Sequence, residues 1–228
     1  VNTPKIYKDE KKYVNKCLTT GWISSEGKYV KEFEKRFSKY INKRYGVAVS
    51  SGTAALEIAM KSLNLKKKSE VIIPNFSIIS TALCVVKLGL KPVLVDVDPK
   101  TWNMNPKEII KKINRNTKAI IITHIYGFPV EMKEVLAVAR KRKIKIIEDT
   151  AEMIGQTYNK KKCGSFGLWS SLSSYYSHHI STIEGGFFLT DNKKLFSIAK
   201  SIRSHGWIRG QEDNKIFKVK RFSNEKKK

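Results

Sequence analysis

The segment Ser173-Ser174-Tyr175-Tyr176-Ser177-His178-His179-Ile180-Ser181-Thr182-Ile183-Glu184-Gly185-Gly186 sets two imidazoles among hydroxyls and closes on an acid and a glycine pair. Imidazole titrates near neutrality, so the segment suits proton transfer better than metal binding, though taken in isolation a hydrogen-bonded structural histidine is the commoner reading. Adjacent side chains of extended backbone point to opposite faces, so one pocket is expected to receive one histidine of the pair. A metal would want more ligands, and His124 and His205 stand at no ligand spacing, so no metal site is expected. Glu148-Asp149 ends the apolar run 144–147. A carboxylate there either faces a cation or strong donor, such as a protonated pyridine nitrogen, or serves as a helix cap or surface ion pair. Ser50-Ser51-Gly52-Thr53-Ala54-Ala55 offers glycine for close backbone approach and free N–H groups at a helix start. That pattern fits an anion cradle or a plain capping turn.

The elements that must position these residues alternate along the chain. Apolar, β-branched runs predict strands at 46–50, 70–74, 92–97, 119–123, 145–149, 168–173 and 186–190. Helical patterns fill 30–41, 53–63, 78–88, 106–113, 132–142 and 193–204. Runs such as Ala119-Ile120-Ile121-Ile122 are apolar on consecutive positions, which belongs inside a mostly parallel sheet covered by helices on both faces. Ligands of such sheets collect at the carboxyl ends of the strands, where the candidate residues stand.

Composition bounds the function. The chain has 228 residues, 41% of them hydrophobic, with 45 Lys and Arg against 20 Asp and Glu and a net charge of +25. The apolar content excludes a wholly disordered chain. The lysines are scattered over nearly every predicted helix without an RNP-like or finger motif, so solvated faces explain the charge and no nucleic-acid partner is expected. The excess positive field favours anionic small molecules. No apolar run reaches the ~18 residues of a membrane span, so no membrane association is expected. Cys17, Cys84 and Cys163 are odd in number and far apart, which fits a reducing cytoplasmic setting rather than disulfides or a cluster. The first residue is Val, and 211–228 are polar and basic. The expected organisation is a helical segment at 1–20, a large domain at 21–210, and at 211–228 the start of a C-terminal region that continues in a longer polypeptide.

Taken in order, these pieces carry a family resemblance. Gly21-Trp22-Ile23-Ser24-Ser25-Glu26-Gly27, Ser51-Gly52-Thr53-Ala54-Ala55-Leu56, Val71-Ile72-Ile73-Pro74 and His124-Ile125-Tyr126-Gly127-Phe128-Pro129 lead to Glu148-Asp149-Thr150-Ala151-Glu152, Glu184-Gly185-Gly186 and Arg203-Ser204-His205-Gly206-Trp207. Over about residues 20–210 the chain resembles the DegT/DnrJ family of nucleotide-sugar aminotransferases, fold type I enzymes dependent on pyridoxal phosphate. The resemblance implies a three-layer α/β/α large domain, half of a homodimer. It implies that Gly52, Thr53 and Ser173 bind the cofactor phosphate, that Asp149 partners the pyridine nitrogen, and that Glu152 lies near the ring oxygen where relatives usually carry Gln. Ile78 stands where many relatives place an aromatic against the ring.

One departure decides the expected chemistry. Relatives hold the cofactor covalently through a Lys five residues after the phosphate serine, and this chain has His178 there. Imidazole cannot make that bond but can move protons. Within the family, His at this position marks the branch of 3-dehydratases that act on 4-keto-6-deoxy nucleotide sugars in deoxysugar and polysaccharide biosynthesis. The resemblance then implies pyridoxamine 5'-phosphate made from glutamate as amino donor, with His178 taking the proton as the C3 hydroxyl leaves. A sister branch with His and an iron–sulfur cluster needs a cysteine set that these three dispersed residues do not supply. Two further readings stand beside this one: a sugar aminotransferase that recruits another Lys, and a non-enzymatic binder of nucleotide sugars.

Overall fold

The computed structural model describes residues 3–208; the expected C-terminal start at 211–228 lies outside the described residues. In chain order the elements are α1 (Lys8–Thr20), α2 (Lys28–Tyr40), β1 (Tyr45–Val49), α3 (Gly52–Ser62), β2 (Glu70–Pro74), α4 (Ser80–Val86), β3 (Lys91–Val95), α5 (Pro106–Lys112), β4 (Thr117–Thr123), α6 (Met132–Arg142), β5 (Lys145–Asp149), β6 (Thr157–Tyr158), β7 (Lys161–Lys162), β8 (Trp169–Ser173), β9 (Gly186–Thr190) and α7 (Lys193–Arg203). Seven strands form one sheet in the order β1-β9-β8-β5-β4-β2-β3. Only β9 runs antiparallel to its neighbours. The pairs β2–β3, β2–β4, β4–β5 and β5–β8 are parallel.

The period of two along each strand sorts the core into layers. Ile121 of β4 and Ile147 of β5 pack with Leu56 and Met60 of α3 and Val85 of α4. Their neighbours Ile120, Ile122 and Ile146 face the other way, onto Ile109 of α5 and Val135 and Ala139 of α6. On that second side Phe37 of α2 meets Leu172 of β8 and Phe187 of β9, while Phe188 joins the α3 layer. The result is the three-layer α/β/α architecture with a mostly parallel centre.

Several boundaries differ from the sequence reading for local reasons. The helix expected at 78–88 is confined to Ser80–Val86, with no side-chain cap at Ile79. The strand expected at 92–97 ends at Val95, and Val97 makes an isolated bridge to Met104. The lysine cluster at 160–162 enters a small hairpin, β6–β7. Its turn residues Asn159 and Lys160 both have positive φ (48° and 63°), the conformation of a two-residue type I′ turn. Lys162 Nζ covers the Tyr40 ring, 3.4 Å from its centroid, so this lysine is not a solvated one. Among the described residues no helix is long and apolar enough to cross a membrane.

Candidate functional site

Because the parallel strands share a direction and β9 opposes them, one edge of the sheet gathers their carboxyl ends and the start of β9. Registers fix the neighbours: Thr123 lies opposite Asp149, Asp149 opposite Ser171, and both Ser173 and Val49 opposite Gly186. Thus Gly52, Thr53, Asp149, Glu152, Ser173 and His178, distant in sequence, belong to this one edge.

At the β1–α3 junction Ser51 caps the helix, its hydroxyl accepting from the Ala54 N–H at 3.1 Å. The next residues, Gly52 and Thr53, open α3 with N–H groups that the helix cannot itself satisfy. A Cβ on Gly52 would sit 2.8 Å from Ser173 Cβ, and one on Gly186 would overlap the Ser51 carbonyl and the Gly52 nitrogen. Glycine is therefore required for three chain segments to meet here. The meeting places the Ser173 hydroxyl beside the helix start. Hydroxyl and helix N–H groups together can hold an anion.

Asp149 ends β5 and is buried, with 2% exposure. Its Oδ1 accepts from the Ala151 N–H at 3.1 Å and the Ser171 hydroxyl at 3.2 Å. Among the described residues nothing donates to Oδ2. Burial pushes its carboxyl above the usual carboxylate range, against the two hydrogen bonds and the influence of His124 that pull it down. A buried acceptor with a free oxygen fits a cationic N–H donor such as a pyridinium. The surroundings thus suit the group that the resemblance implies.

Glu148, its neighbour, has another task. It is fully buried, and Oε1 accepts from the Phe166 N–H (2.7 Å) and the Gly167 N–H (2.5 Å), Oε2 from the Gly164 N–H (2.7 Å). His124 Nε2 lies 3.3 Å from the same Oε2. The Val130 N–H donates to His124 Nδ1 at 3.1 Å, so the ring proton sits on Nε2 and points to Glu148. The two buried side chains fix the loop that leads into β8, and hence Ser173. From sequence Glu148 and Asp149 form one signal; the partners of Glu148 lie 16 to 24 residues away in sequence, which the local pattern does not reveal.

Between β8 and β9 the chain runs through turns and bends. Its base is closed by Ser174, whose N–H donates to the Gly185 carbonyl (2.9 Å) and whose hydroxyl meets Thr182 Oγ1 (2.6 Å). The His178 N–H donates to the Tyr175 carbonyl at 3.0 Å. A cavity of about 410 Å³ opens here, lined by Tyr126, Glu152, Ser177, His178 and His179. Both histidines reach it, which corrects the expectation of one: the alternation holds for extended backbone, and this backbone turns. Burial draws the His178 imidazole below its usual value, opposed by the Glu152 carboxylate and assisted by His179. Tyr126 and Ser177 were missed from sequence. Tyr126 reaches the cavity from a left-handed conformation (φ 48°), rare outside glycine and carrying no local signature.

Comparison with known proteins follows the same lines. A model of the DegT/DnrJ/EryC1/StrS aminotransferase family matches residues 4–225. The chain is 37% identical over 206 residues to a GDP-perosamine synthase of Escherichia coli O157:H7, covering 90% of this chain and 57% of that protein. It is 37% identical over 201 residues to a GDP-4-keto-6-deoxy-D-mannose 3-dehydratase of Escherichia coli O55:H7, covering 85% and 52%. A solved structure of an E. coli GDP-4-keto-6-deoxy-D-mannose 3-dehydratase with bound hydrated PLP superposes with a TM-score of 0.87 at 34% identity, over 92% of this chain and 57% of that one. The chain therefore spans about half the length of the relatives it matches. The mostly parallel sheet with helices on both faces is shared with these solved fold type I enzymes, and the chain belongs to the DegT/DnrJ/EryC1/StrS aminotransferase family.

Proposed function

We propose that this chain forms the cofactor-holding part of a nucleotide-sugar 3-dehydratase, which removes the C3 hydroxyl of a 4-keto-6-deoxy nucleotide sugar. The observation that carries the reading is His178 in the cavity wall, where the family's aminotransferases keep a lysine; no amine side chain is among the described residues lining that cavity. Gly52 and Thr53 at the start of α3, with the Ser173 hydroxyl, would hold the phosphate of pyridoxal or pyridoxamine 5'-phosphate. Asp149 Oδ2 would accept from the ring nitrogen and keep it protonated, and Glu152 would stand near the ring oxygen. When bound, the cofactor would supply an amine for the sugar C4 ketone and a ring able to accept electrons.

The protein's part is proton transfer and orientation. His178 Nε2 or Nδ1, neutral because burial draws its pKa down, takes a proton in the cavity. The resulting imidazolium gives that proton to the departing C3 oxygen, which leaves as water. Help of this kind is worth roughly 10²–10⁴-fold. Without a lysine to displace the product in favour of a covalent resting state, loss of water outcompetes nitrogen transfer. Glutamate would restore the amine form of the cofactor. Exposed apolar residues on and before α4 (Ile78, Ile79, Leu83 and Val86) and an α1 with no buried residue support assembly with a second copy.

His178→Asn in the full-length polypeptide tests the assignment: dehydration should fall to background while cofactor affinity stays within a few-fold. Undiminished turnover would overturn it. The equal identity to GDP-perosamine synthase favours one competing reading, a 4-aminotransferase. That reading requires a lysine from elsewhere to form a borohydride-reducible bond with the cofactor.

A further inference from the structure

Glu152 has a position that contact with a cofactor ring does not by itself explain. Its Oε2 accepts the backbone N–H of Tyr126 at 3.1 Å, bridging the loop after β5 to the turn after β4. That N–H belongs to a residue held in the left-handed region (φ 48°, ψ 33°), a conformation that a bulky residue keeps only when its surroundings impose it. The bond therefore fixes two things together: the Tyr126 turn on one wall of the cavity and the direction of the carboxylate on the floor. Both residues line the 410 Å³ cavity into which His178 also faces.

The groups that face His178 can be named. On its own loop are His179 and Tyr175, whose ring centroid lies 6.1 Å away in an edge-on contact. From the β4 turn comes Tyr126, and from the β5 loop comes Glu152. Glu152 is the only carboxylate among the described residues lining the cavity. The other ionisable neighbour, His179, opposes protonation.

We infer that Glu152 is a positioning residue for His178: its carboxylate, aimed by the Tyr126 N–H, faces the imidazole across the cavity and stabilises the imidazolium that proton transfer creates. This rests on the reading of His178 as the proton carrier. A glutamine, isosteric and able to keep the Tyr126 N–H bond through its carbonyl oxygen, would preserve the wall and remove the charge. The carboxylate would thus distinguish a site that must store a proton on an unattached imidazole from one in which an amine does that work.

The experiment follows the His178 Cε1–H resonance with pH in the cofactor-free, full-length protein labelled with 13C-histidine, assigned by its absence in His178→Asn. In Glu152→Gln the midpoint should move to lower pH by roughly half a unit, the size that a partly exposed charge pair supplies. Glu152→Asp, which keeps the charge, should restore most of the difference. Because a merely structural loss would not spare the glutamine and respond to charge alone, an unchanged or higher midpoint in Glu152→Gln overturns the inference. So does an aspartate variant that behaves like the glutamine one. Failure of the functional reading is separate: it would appear as absent dehydration by the wild-type protein, whatever the titration shows.

Discussion

Asp149→Asn separates two consequences of one buried carboxylate. With 2% of its surface exposed, Asp149 is held above the usual carboxylate range by burial. An acid whose pKa is higher folded than unfolded loses stability as pH rises from the unfolded value, here 3.8, toward the folded one, and carries the full penalty above both. Asparagine escapes it, since its carbonyl oxygen can still accept from the Ala151 N–H and the Ser171 hydroxyl. The cofactor-free variant should therefore be the more stable at neutral pH, by about 1 kcal/mol or more, which is ~2–4 °C in melting temperature for a chain of this size. The advantage should shrink as pH falls from the raised folded pKa toward the unfolded value of 3.8, across which the folded carboxyl binds its proton. Cofactor binding should move the opposite way. Loss of one charge-assisted hydrogen bond, about 1.5–3 kcal/mol, weakens pyridoxamine 5'-phosphate roughly 10- to 150-fold. Thermal scans at several pH values, with and without cofactor, read both effects. A cofactor-free variant that melts below wild type, or one whose cofactor affinity stays within threefold, would refute the reasoning.

Other consequences are independent of that carboxylate. Glu148→Gln replaces one accepting oxygen with an amide N–H₂, which then opposes either the Phe166 and Gly167 N–H groups or the Gly164 N–H and His124 Nε2–H, and should lower stability by about 3 kcal/mol or more, read from urea midpoints. Ile183, β-branched and at φ 70°, sits in a conformation that costs an L-residue about 1–2 kcal/mol, so Ile183→Gly should leave stability unchanged or raise it by up to ~1 kcal/mol despite glycine's greater entropy loss. The acid limb of the dehydration rate should lie below the ordinary imidazole midpoint, because burial lowers the pKa of the His178 imidazole; a limb above that midpoint contradicts the environment described. Light scattering on the full-length protein should give a dimer, and a charge placed at Ile79 or Leu83 should weaken it.

The sequence exposed the scaffold more fully than the site. Strands such as Ala119-Ile120-Ile121-Ile122 announce themselves because burial on both faces leaves no polar position, and their ends fall within a few residues of the pattern. The glycine turn before α3 and the acid at the end of β5 are equally local signals. What sequence could not show depends on long-range closure or unusual backbone. Glu148 is satisfied by a loop that passes back over β5. His178 and His179 share a cavity because their loop turns, and Tyr126 enters it through a left-handed φ. Lys43 looks like one more surface lysine of a basic chain. Its Nζ is buried, donating to the Gly167 carbonyl at 2.8 Å and pairing with Asp191 at 3.1 Å. Composition cannot single out such a residue.

The central claim is that imidazole, in place of a tethering amine, turns nitrogen transfer into loss of water. The most direct measurement is product analysis by mass spectrometry, using the full-length protein with pyridoxal phosphate, glutamate and a 4-keto-6-deoxy nucleotide sugar. A product lighter by one oxygen, with nitrogen released as ammonia, is predicted for wild type and absent with His178→Asn. A product that retains its C3 hydroxyl and carries an amino group at C4 would contradict the account.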